Sequence, residues 1–271
     1  MTTHDLYQVD AFADRLFAGN PAGVMVLDAF LPDGTLQAIA QENNLAETAY
    51  AVRTGAGRYD LRWFTPGTEV PLCGHATLAT AHVLWTELEE GAEALAFQTL
   101  SGTLTVARAE GGDAYVMDFP ADPPEPIGAP DGLTEALGVR PDAVLAGQYL
   151  LAVLEDEVSL RALTPNLLAL AEVRSPREGL AASCVCVAAP GDETDFVSRF
   201  FGPTVGITED PVTGSAHCML TPYWAVRLGK TTLSAYQASA RGGHVGCELV
   251  GDRVRLTGRA VTYLRGRVAL P

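Results

Sequence analysis

Nowhere in the 271 residues is there a run of about 18 apolar residues, the length a helix needs to cross a bilayer. No membrane partner is expected on that ground. Basic residues are also scarce: 18 Lys and Arg face 33 Asp and Glu, a formal net charge of −15. So acidic a surface disfavours nucleic acid and anionic lipid, and no nucleic-acid partner is expected. Cysteine is sparse and odd in number, at five, which suits reduced thiols in a cytoplasmic protein. The start, Met1-Thr2-Thr3-His4-Asp5, lacks the basic and apolar regions of a signal peptide. Cys184-Val185-Cys186 lies in an apolar run and reads as buried strand. No second Cys/His pair at metal spacing accompanies it, so no metal centre is expected. No GxGxxG follows a strand and no GxxxxGK[ST] occurs, so nucleotide folds are unsupported.

What the chain does have is ample core material, 48% hydrophobic against 19% charged residues. Its length allows one large domain or two of ordinary size. It also has an internal echo. Glu69-Val70-Pro71-Leu72-Cys73-Gly74-His75-Ala76 and Glu209-Asp210-Pro211-Val212-Thr213-Gly214-Ser215-Ala216 align at a shift of 209 − 69 = 140, with Glu, Pro, Gly and Ala on their own kind. The run-in, Arg62-Trp63-Phe64-Thr65-Pro66, resembles Arg199-Phe200-Phe201-Gly202-Pro203 at a shift of 137. A shift near half the chain length points to a duplicated domain.

Each copy reads as a loop opening a helix. A helix start has backbone N–H groups without internal partners and a partial positive charge, so it suits an anion. Gly74 and Gly214 remove a Cβ where a ligand would approach the backbone. A small carboxylate is the expected ligand. A plain helix start with a glycine in its loop is the competing reading for either copy alone.

Around these loops the chain reads as many strands and few helices. Strands are expected at Tyr7–Phe12, Ala22–Leu27, Leu45–Val52 and Arg58–Phe64, with a turn at Ala18–Pro21. A helix from about Thr35 to Asn43 is capped by Asp33. The apolar run from His75 to about Glu89 predicts a helix buried on every side, stopped by Gly91. Residues 96–119 are strand-rich, with a hairpin at Gly111-Gly112. Five prolines in 120–130 mark a connector. Two domains follow, 1–119 and 120–271, the first open to completion by a C-terminal strand. In the second, a short helix lies near Leu133–Leu137 and strands near Val144–Leu145, Leu150–Leu154, Ala182–Ala188 and Phe196–Phe201. Thr164 and Pro165 open a helix through Glu172. The repeat helix runs from Gly214 to Leu228, with Gly229 as its cap and Pro222 inside it. The tail from Val245 is strand, turning at Gly251-Asp252.

Several side chains can carry chemistry. Glu47 sits in an uncharged strand and alternates with apparent core positions Leu45, Ala49 and Ala51. Partial desolvation would raise its pKa toward neutrality, as a general acid/base requires; an exposed edge-strand glutamate is the competing reading. His75 follows Gly74 at a helix start, where a neutral ring is expected; it orients substrate or merely caps. Asp210 orients a substrate amine, pairs with His75, or anchors its helix. Cys73 is a thiol at a helix start and a candidate base or nucleophile, but its repeat partner is Thr213. His4, His82, His217 and His244 read as structural.

These residues resemble the PhzF family, the phenazine biosynthesis-like proteins. The resemblance rests on Asp10-Ala11-Phe12 with Phe17-Ala18-Gly19-Asn20-Pro21, Leu45-Ala46-Glu47-Thr48-Ala49, Arg62–Pro66, Glu69–Thr77 and Glu209–His217. Gln237 and Arg241-Gly242-Gly243 fit a late motif. The resemblance implies an α+β fold like that of diaminopimelate epimerase, with two pseudo-symmetric halves. Each is a curled antiparallel sheet around a central helix, with the active site in the cleft between the halves. It implies cofactor-independent proton transfer, as in the isomerisation of trans-2,3-dihydro-3-hydroxyanthranilate. Glu47 then resembles the proton shuttle, and His75 and Asp210 its orienting partners. Gly74, Gly214 and Ser215 resemble the carboxylate binders, with Cys73 beside them. A homodimer is expected. The alternatives are an amino-acid racemase or epimerase using Cys73, which Thr213 disfavours because it supplies no second thiol, and a non-catalytic metabolite-binding protein.

Overall fold

The structure, a computed structural model, describes residues 2–174 and 184–270. The chain divides into two compact units, one of Met1–Asp118 with Thr257–Pro271, the other of Phe119–Leu256. Along the chain come β1 (Thr2–Ala11), β2 (Asn20–Leu27), α1 (Asp33–Asn43), β3 (Glu47–Gly55), β4 (Arg58–Phe64) and β5 (Glu69–Val70). Then follow α2 (Gly74–Thr86), β6 (Ala94–Thr99), β7 (Gly102–Arg108), β8 (Tyr115–Pro120), β9 (Glu125–Pro126) and α3 (Leu133–Leu137). Next are β10 (Ala143–Ala146), β11 (Leu150–Val153), α4 (Glu157–Arg161), α5 (Leu167–Glu172), β12 (Val185–Pro190) and β13 (Phe196–Gly202). The chain ends with β14 (Ile207–Asp210), α6 (Gly214–Leu228), β15 (Thr232–Gln237), β16 (Gly243–Val250), β17 (Arg253–Gly258) and β18 (Ala260–Leu270). The fold is α+β, a large curled sheet with few helices.

In the first unit β18 pairs with β1, β1 with β2, β2 with β3, β3 with β4, β4 with β6, and β6 through β7 to β8. The second unit repeats the order: β10 with β11, then β12, β13, β15 and β16. The expected antiparallel sheet is in fact mixed. The β2–β3, β4–β6, β11–β12 and β13–β15 pairs are parallel. A parallel neighbour needs a crossover rather than a tight turn. Helix α1 makes the first of these crossovers, and α2 and α6 lie in the corresponding connections of the two units.

Helix α2 has no polar face. Every residue from His75 to Trp85 is buried, and the helix packs against β1, β2, β3 and β18. Its threonines hide their hydroxyls by back-bonding within the helix, Thr77 to the Cys73 carbonyl and Thr80 to that of Ala76. Helix α6 does the same with Thr221 and His217. Pro222 has no N–H to give the Cys218 carbonyl, and the Asp122 N–H takes that acceptor at 3.0 Å.

A charge clamp is duplicated as well. Arg62 on β4 holds Glu69 on β5 through Nε and Nη2, both at 2.7 Å. Arg199 on β13 holds Glu209 on β14 at 2.7 and 2.9 Å. Each guanidinium lies over a phenylalanine two residues on, Phe64 or Phe201, 5.1 and 5.0 Å from the ring centre. The clamps fix the bend that delivers the chain to each repeat helix.

Several local expectations shift. Pro32, not Asp33, caps α1; Asp33 lies in the first turn and pairs with Arg62. Asn166, not Thr164, caps α5, its side chain accepting from the Ala169 N–H. Helix α4, capped by Asp156, was not expected. Helix α2 stops at Thr86, short of Gly91, and the chain then turns left-handed at Glu89, φ 53°. The Gly111-Gly112 hairpin and the Gly229 cap stand as expected. The strand expected at Ala182–Ala188 is seen from Val185; Ala182 and Ser183 lie outside the described residues.

Candidate active site

The parallel ladder pairs Glu47, the first residue of β3, with Ala22 of β2. Asn20, two residues before Ala22, opens β2. Helix α2 starts beside these two strand ends, with Cys73 as its extended N-cap. Glu47, His75, Cys73 and Asn20 therefore meet although 55 residues separate the first and last in sequence. Glu47 Oε2 lies 3.0 Å from His75 Nε2. On the other side of the ring, Nδ1 lies 3.3 Å from Asn20 Nδ2 and 3.5 Å from Cys73 Sγ. Asn20 is wholly buried, and the Glu47 side chain keeps 14% of its surface exposed.

Glu47 does not lie on an alternating face. It opens its strand half-buried, and Thr48, Ala49, Tyr50 and Ala51 are all buried behind it. The parallel neighbour β2 covers what a lone antiparallel edge would expose.

The neutral His75 expected from its helix start is overturned. Burial by itself would strip the ring of its proton, yet the Cys73 sulfur and, after it, the Glu47 carboxylate outweigh burial and hold the pKa well above the usual histidine value. A helix end disfavours a cation by only about 0.3–1 kcal/mol. Unit charges 4 Å apart in a medium of intermediate polarity attract by about 4 kcal/mol. Burial, reinforced by the Glu47 carboxylate, pushes the Cys73 thiol up to about 11, and the His75 ring and Ala76 amide that pull it down do not prevail.

In the second unit β14 runs into the start of α6. Thr213, the N-cap, is of a type that normally closes its own helix. Its hydroxyl instead makes a short hydrogen bond to Asp210 Oδ2, and α6 has no side-chain cap. The Thr213 N–H goes to Gln237 Oε1 at 2.9 Å, and Gln237 Nε2 donates to the Asp210 carbonyl at 2.7 Å and to Thr213 Oγ1 at 3.1 Å. Ser215 Oγ lies 2.9 Å from the Tyr149 hydroxyl, whose pKa burial pushes up to about 12. Helix α2 likewise lacks a side-chain cap. Both helix starts, Gly74–His75 and Gly214–Ser215, thus keep the anion-binding character of an uncapped first turn.

The structure gathers Glu47, Cys73 and His75 in the first unit and Asp210, Gly214 and Ser215 at the helix start of the second. Glu47, Cys73 and His75 also offer three donor atoms within 4.8 Å of one another.

The sequence model of the phenazine biosynthesis-like proteins matches residues 9–266. The chain belongs to that family. A relative from Pseudomonas aeruginosa, named an uncharacterized isomerase, is 53% identical over 98% of both chains. A crystal structure of a PhzF-family phenazine biosynthesis protein from Enterococcus faecalis is 46% identical, covers 99% of this chain and 100% of that one, and superposes with a TM-score of 0.93. A hydroxyproline epimerase from Agrobacterium vitis, at 12% identity and a TM-score of 0.62, covers 99% of this chain and 93% of that one and shares the fold alone. The phenazine biosynthesis-like chain described here is thus of the isomerase class.

Two residues at the site were not singled out from the sequence of this phenazine biosynthesis-like protein. Asn20 had been read as a turn residue, although a wholly buried asparagine demands partners. Tyr149 carried no motif. Asn20 stands at the head of β2 and Tyr149 just before β11, and each reaches the second residue of its unit's repeat helix.

Proposed function

We propose that this protein is a cofactor-independent isomerase that moves a proton on a small carboxylate-bearing substrate, similar to the isomerisation of trans-2,3-dihydro-3-hydroxyanthranilate. Glu47 is the general acid/base. The observation that carries this reading is the Glu47 Oε2–His75 Nε2 contact of 3.0 Å, on a ring steadied from its far side by Asn20. As carboxylate, Glu47 takes a proton from one substrate carbon. As carboxylic acid, it returns that proton to another. His75 keeps Oε2 in one place. Gly74, Gly214 and Ser215 hold the substrate carboxylate with helix-start amides and a hydroxyl, and Asp210 orients a substrate amine. Cys73 touches His75 and stays a thiol. Thr213, committed to Asp210, provides no opposing base, which favours one acid/base over two.

The test is turnover of trans-2,3-dihydro-3-hydroxyanthranilate in deuterated water. Glu47→Gln is expected to lower solvent-deuterium incorporation roughly 10²–10⁴-fold while leaving binding close to wild type. Full incorporation in that variant sinks the assignment. Cys73→Ala is expected to retain exchange; its loss there, with Glu47→Gln active, supports the Cys73 racemase reading instead.

A further inference from the structure

We infer that Gln237 is a positioning residue, which aims the Asp210 carboxylate at the substrate amine through the Thr213 hydroxyl. This role rests on the proposed function, in which Asp210 orients that amine. Gln237 ends β15 and is 1% exposed. Its amide can stand only one way. The Thr213 N–H can only donate and takes Oε1 at 2.9 Å; the Asp210 carbonyl can only accept and takes Nε2 at 2.7 Å. That orientation leaves the second Nε2 hydrogen for Thr213 Oγ1, at 3.1 Å. A hydroxyl has a single proton to give. Approached by an N–H, Thr213 Oγ1 sends its own proton to Asp210 Oδ2, in the short bond described above. Donation thus runs one way, from Gln237 to Thr213 to Asp210, and ends on a carboxylate oxygen. A hydrogen bond onto a charged acceptor is the strong kind, so it fixes the rotation of the Asp210 side chain.

The first unit shows what such a loop needs merely to deliver its helix. There Ser101 Oγ donates to the Pro71 carbonyl at 2.8 Å, and in the second unit Ser239 Oγ donates to the Pro211 carbonyl at 2.8 Å. The two serines stand 239 − 101 = 138 apart, within the repeat. Ser239 is held in turn by the Gly242 N–H at 3.0 Å, and Gly242 turns left-handed at φ 67°, where an added Cβ would strike the Tyr236 hydroxyl. This serine latch is common to both units. The glutamine is not: at the same shift Gln237 falls on Thr99, whose hydroxyl donates to the Gly102 carbonyl inside its own hairpin. Gln237 is therefore an addition to a loop that the latch already holds. It accompanies the carboxylate, for the repeat places Val70 and Cys73 of the first unit where the second has Asp210 and Thr213. A buried amide committed to that one loop serves to aim the carboxylate, while the latch serves the scaffold.

The test is steady-state turnover of trans-2,3-dihydro-3-hydroxyanthranilate by the full-length protein, with the analogue lacking the amine as competitive inhibitor. Gln237→Met keeps the length of the side chain and removes its hydrogen bonds. It is expected to raise KM roughly tenfold or more, the effect of losing a hydrogen bond to a charged group, with a smaller fall in kcat. The inhibition constant of the analogue is expected to stay near wild type. Thr213→Val is expected to act like Gln237→Met, the double variant to do no more than either, and Thr213→Ser to keep the wild-type KM. Equal weakening of substrate and analogue in Gln237→Met is the mark of a merely structural role and overturns the inference, as does an unchanged KM. If Gln237→Met fails to fold, an unchanged KM in Thr213→Val overturns it instead. Asp210→Asn separates this role from the reading beneath it. A preference for the amine-bearing substrate that survives Asp210→Asn removes the Asp210–amine reading. A preference lost in Asp210→Asn but kept in Gln237→Met removes the role of Gln237 alone.

Discussion

Asn20 bears no charge, yet it stands between His75 and the end of β2. Removing it takes away one of the two polar neighbours of Nδ1, the other being Cys73 Sγ, and a lost hydrogen bond costs about 0.5–1.5 kcal/mol. Asn20→Ala is therefore expected to destabilise by that amount in urea unfolding and to lower turnover, while Asn20→Asp retains the hold on the ring and loses less. Tyr149 plays the matching part for Ser215. Its phenol holds one hydroxyl and packs edge-on against Phe200, centroids 4.9 Å apart. Tyr149→Phe keeps the packing and frees Ser215, so KM is expected to rise with little change in kcat. An equal rise in Ser215→Ala, with no further rise in the double variant, is the check. His75 and Cys73 could be picked out because imidazole and thiol side chains beside a glycine-led helix invite a chemical reading, and Glu47 because it is a lone charge in an otherwise uncharged strand. Asn20 and Tyr149 could not, because their part is to hold another residue across a strand gap that only folding closes.

At the scale of elements, the duplicated Arg–Glu clamps test how the repeat helices are delivered. Both pairs are bidentate and partly buried, at 22% and 26% exposure for Arg62 and Glu69, and 13% and 23% for Arg199 and Glu209. A fork of this kind exceeds an exposed pair, which contributes about 0–1 kcal/mol. Double-mutant cycles with Arg62→Ala and Glu69→Ala, and with Arg199→Ala and Glu209→Ala, are expected to show coupling of about 1–2 kcal/mol each. The turn ahead of β2 gives a second test. Gly19 sits at φ 64°, and an added Cβ would run into the Ala11 carbonyl. Gly19→Ala combines that clash with a left-handed penalty of about 1–2 kcal/mol, and a loss larger than the penalty alone is expected in thermal melts. Long apolar helices such as α2 were legible from their composition. The true caps Pro32 and Asn166 were not, since neighbouring residues compete for each cap and packing decides between them.

Across the whole molecule, acid separates the two units' buried histidines from free imidazole behaviour. His82 in the first unit bonds Tyr115 and Thr262 at 2.9 and 3.0 Å, and burial drives its pKa down to about 4. His217 in the second gives Nδ1 to the Thr213 carbonyl at 2.8 Å, and burial takes it to about 4 against that carbonyl's upward pull. In the unfolded chain both take a proton near pH 6.5. Between pH 6.5 and about 4 the unfolded state holds more protons, so stability rises with pH there and falls as pH drops. The ceiling is about 3 kcal/mol per histidine, at 1.36 kcal/mol per pH unit. Urea midpoints measured from pH 7 to pH 4 are expected to fall, and less steeply in His82→Gln or His217→Gln. His75 has the opposite sign: its raised pKa adds stability below about pH 6.5 that is lost as pH climbs through the folded value.

Spacing and composition alone were enough for the duplication, the two buried helices, the acidic surface and the glycine-led helix starts. Each is a local or periodic property, written in neighbouring residues or in a fixed shift. Tertiary structure alone decided that four strand pairs run parallel, that His75 carries its proton against the pull of its helix, and that Thr213 turns its hydroxyl to Asp210 rather than capping α6. Those outcomes depend on partners tens of residues away, and distances of 3 Å between such partners exist only once the sheets have closed around their helices.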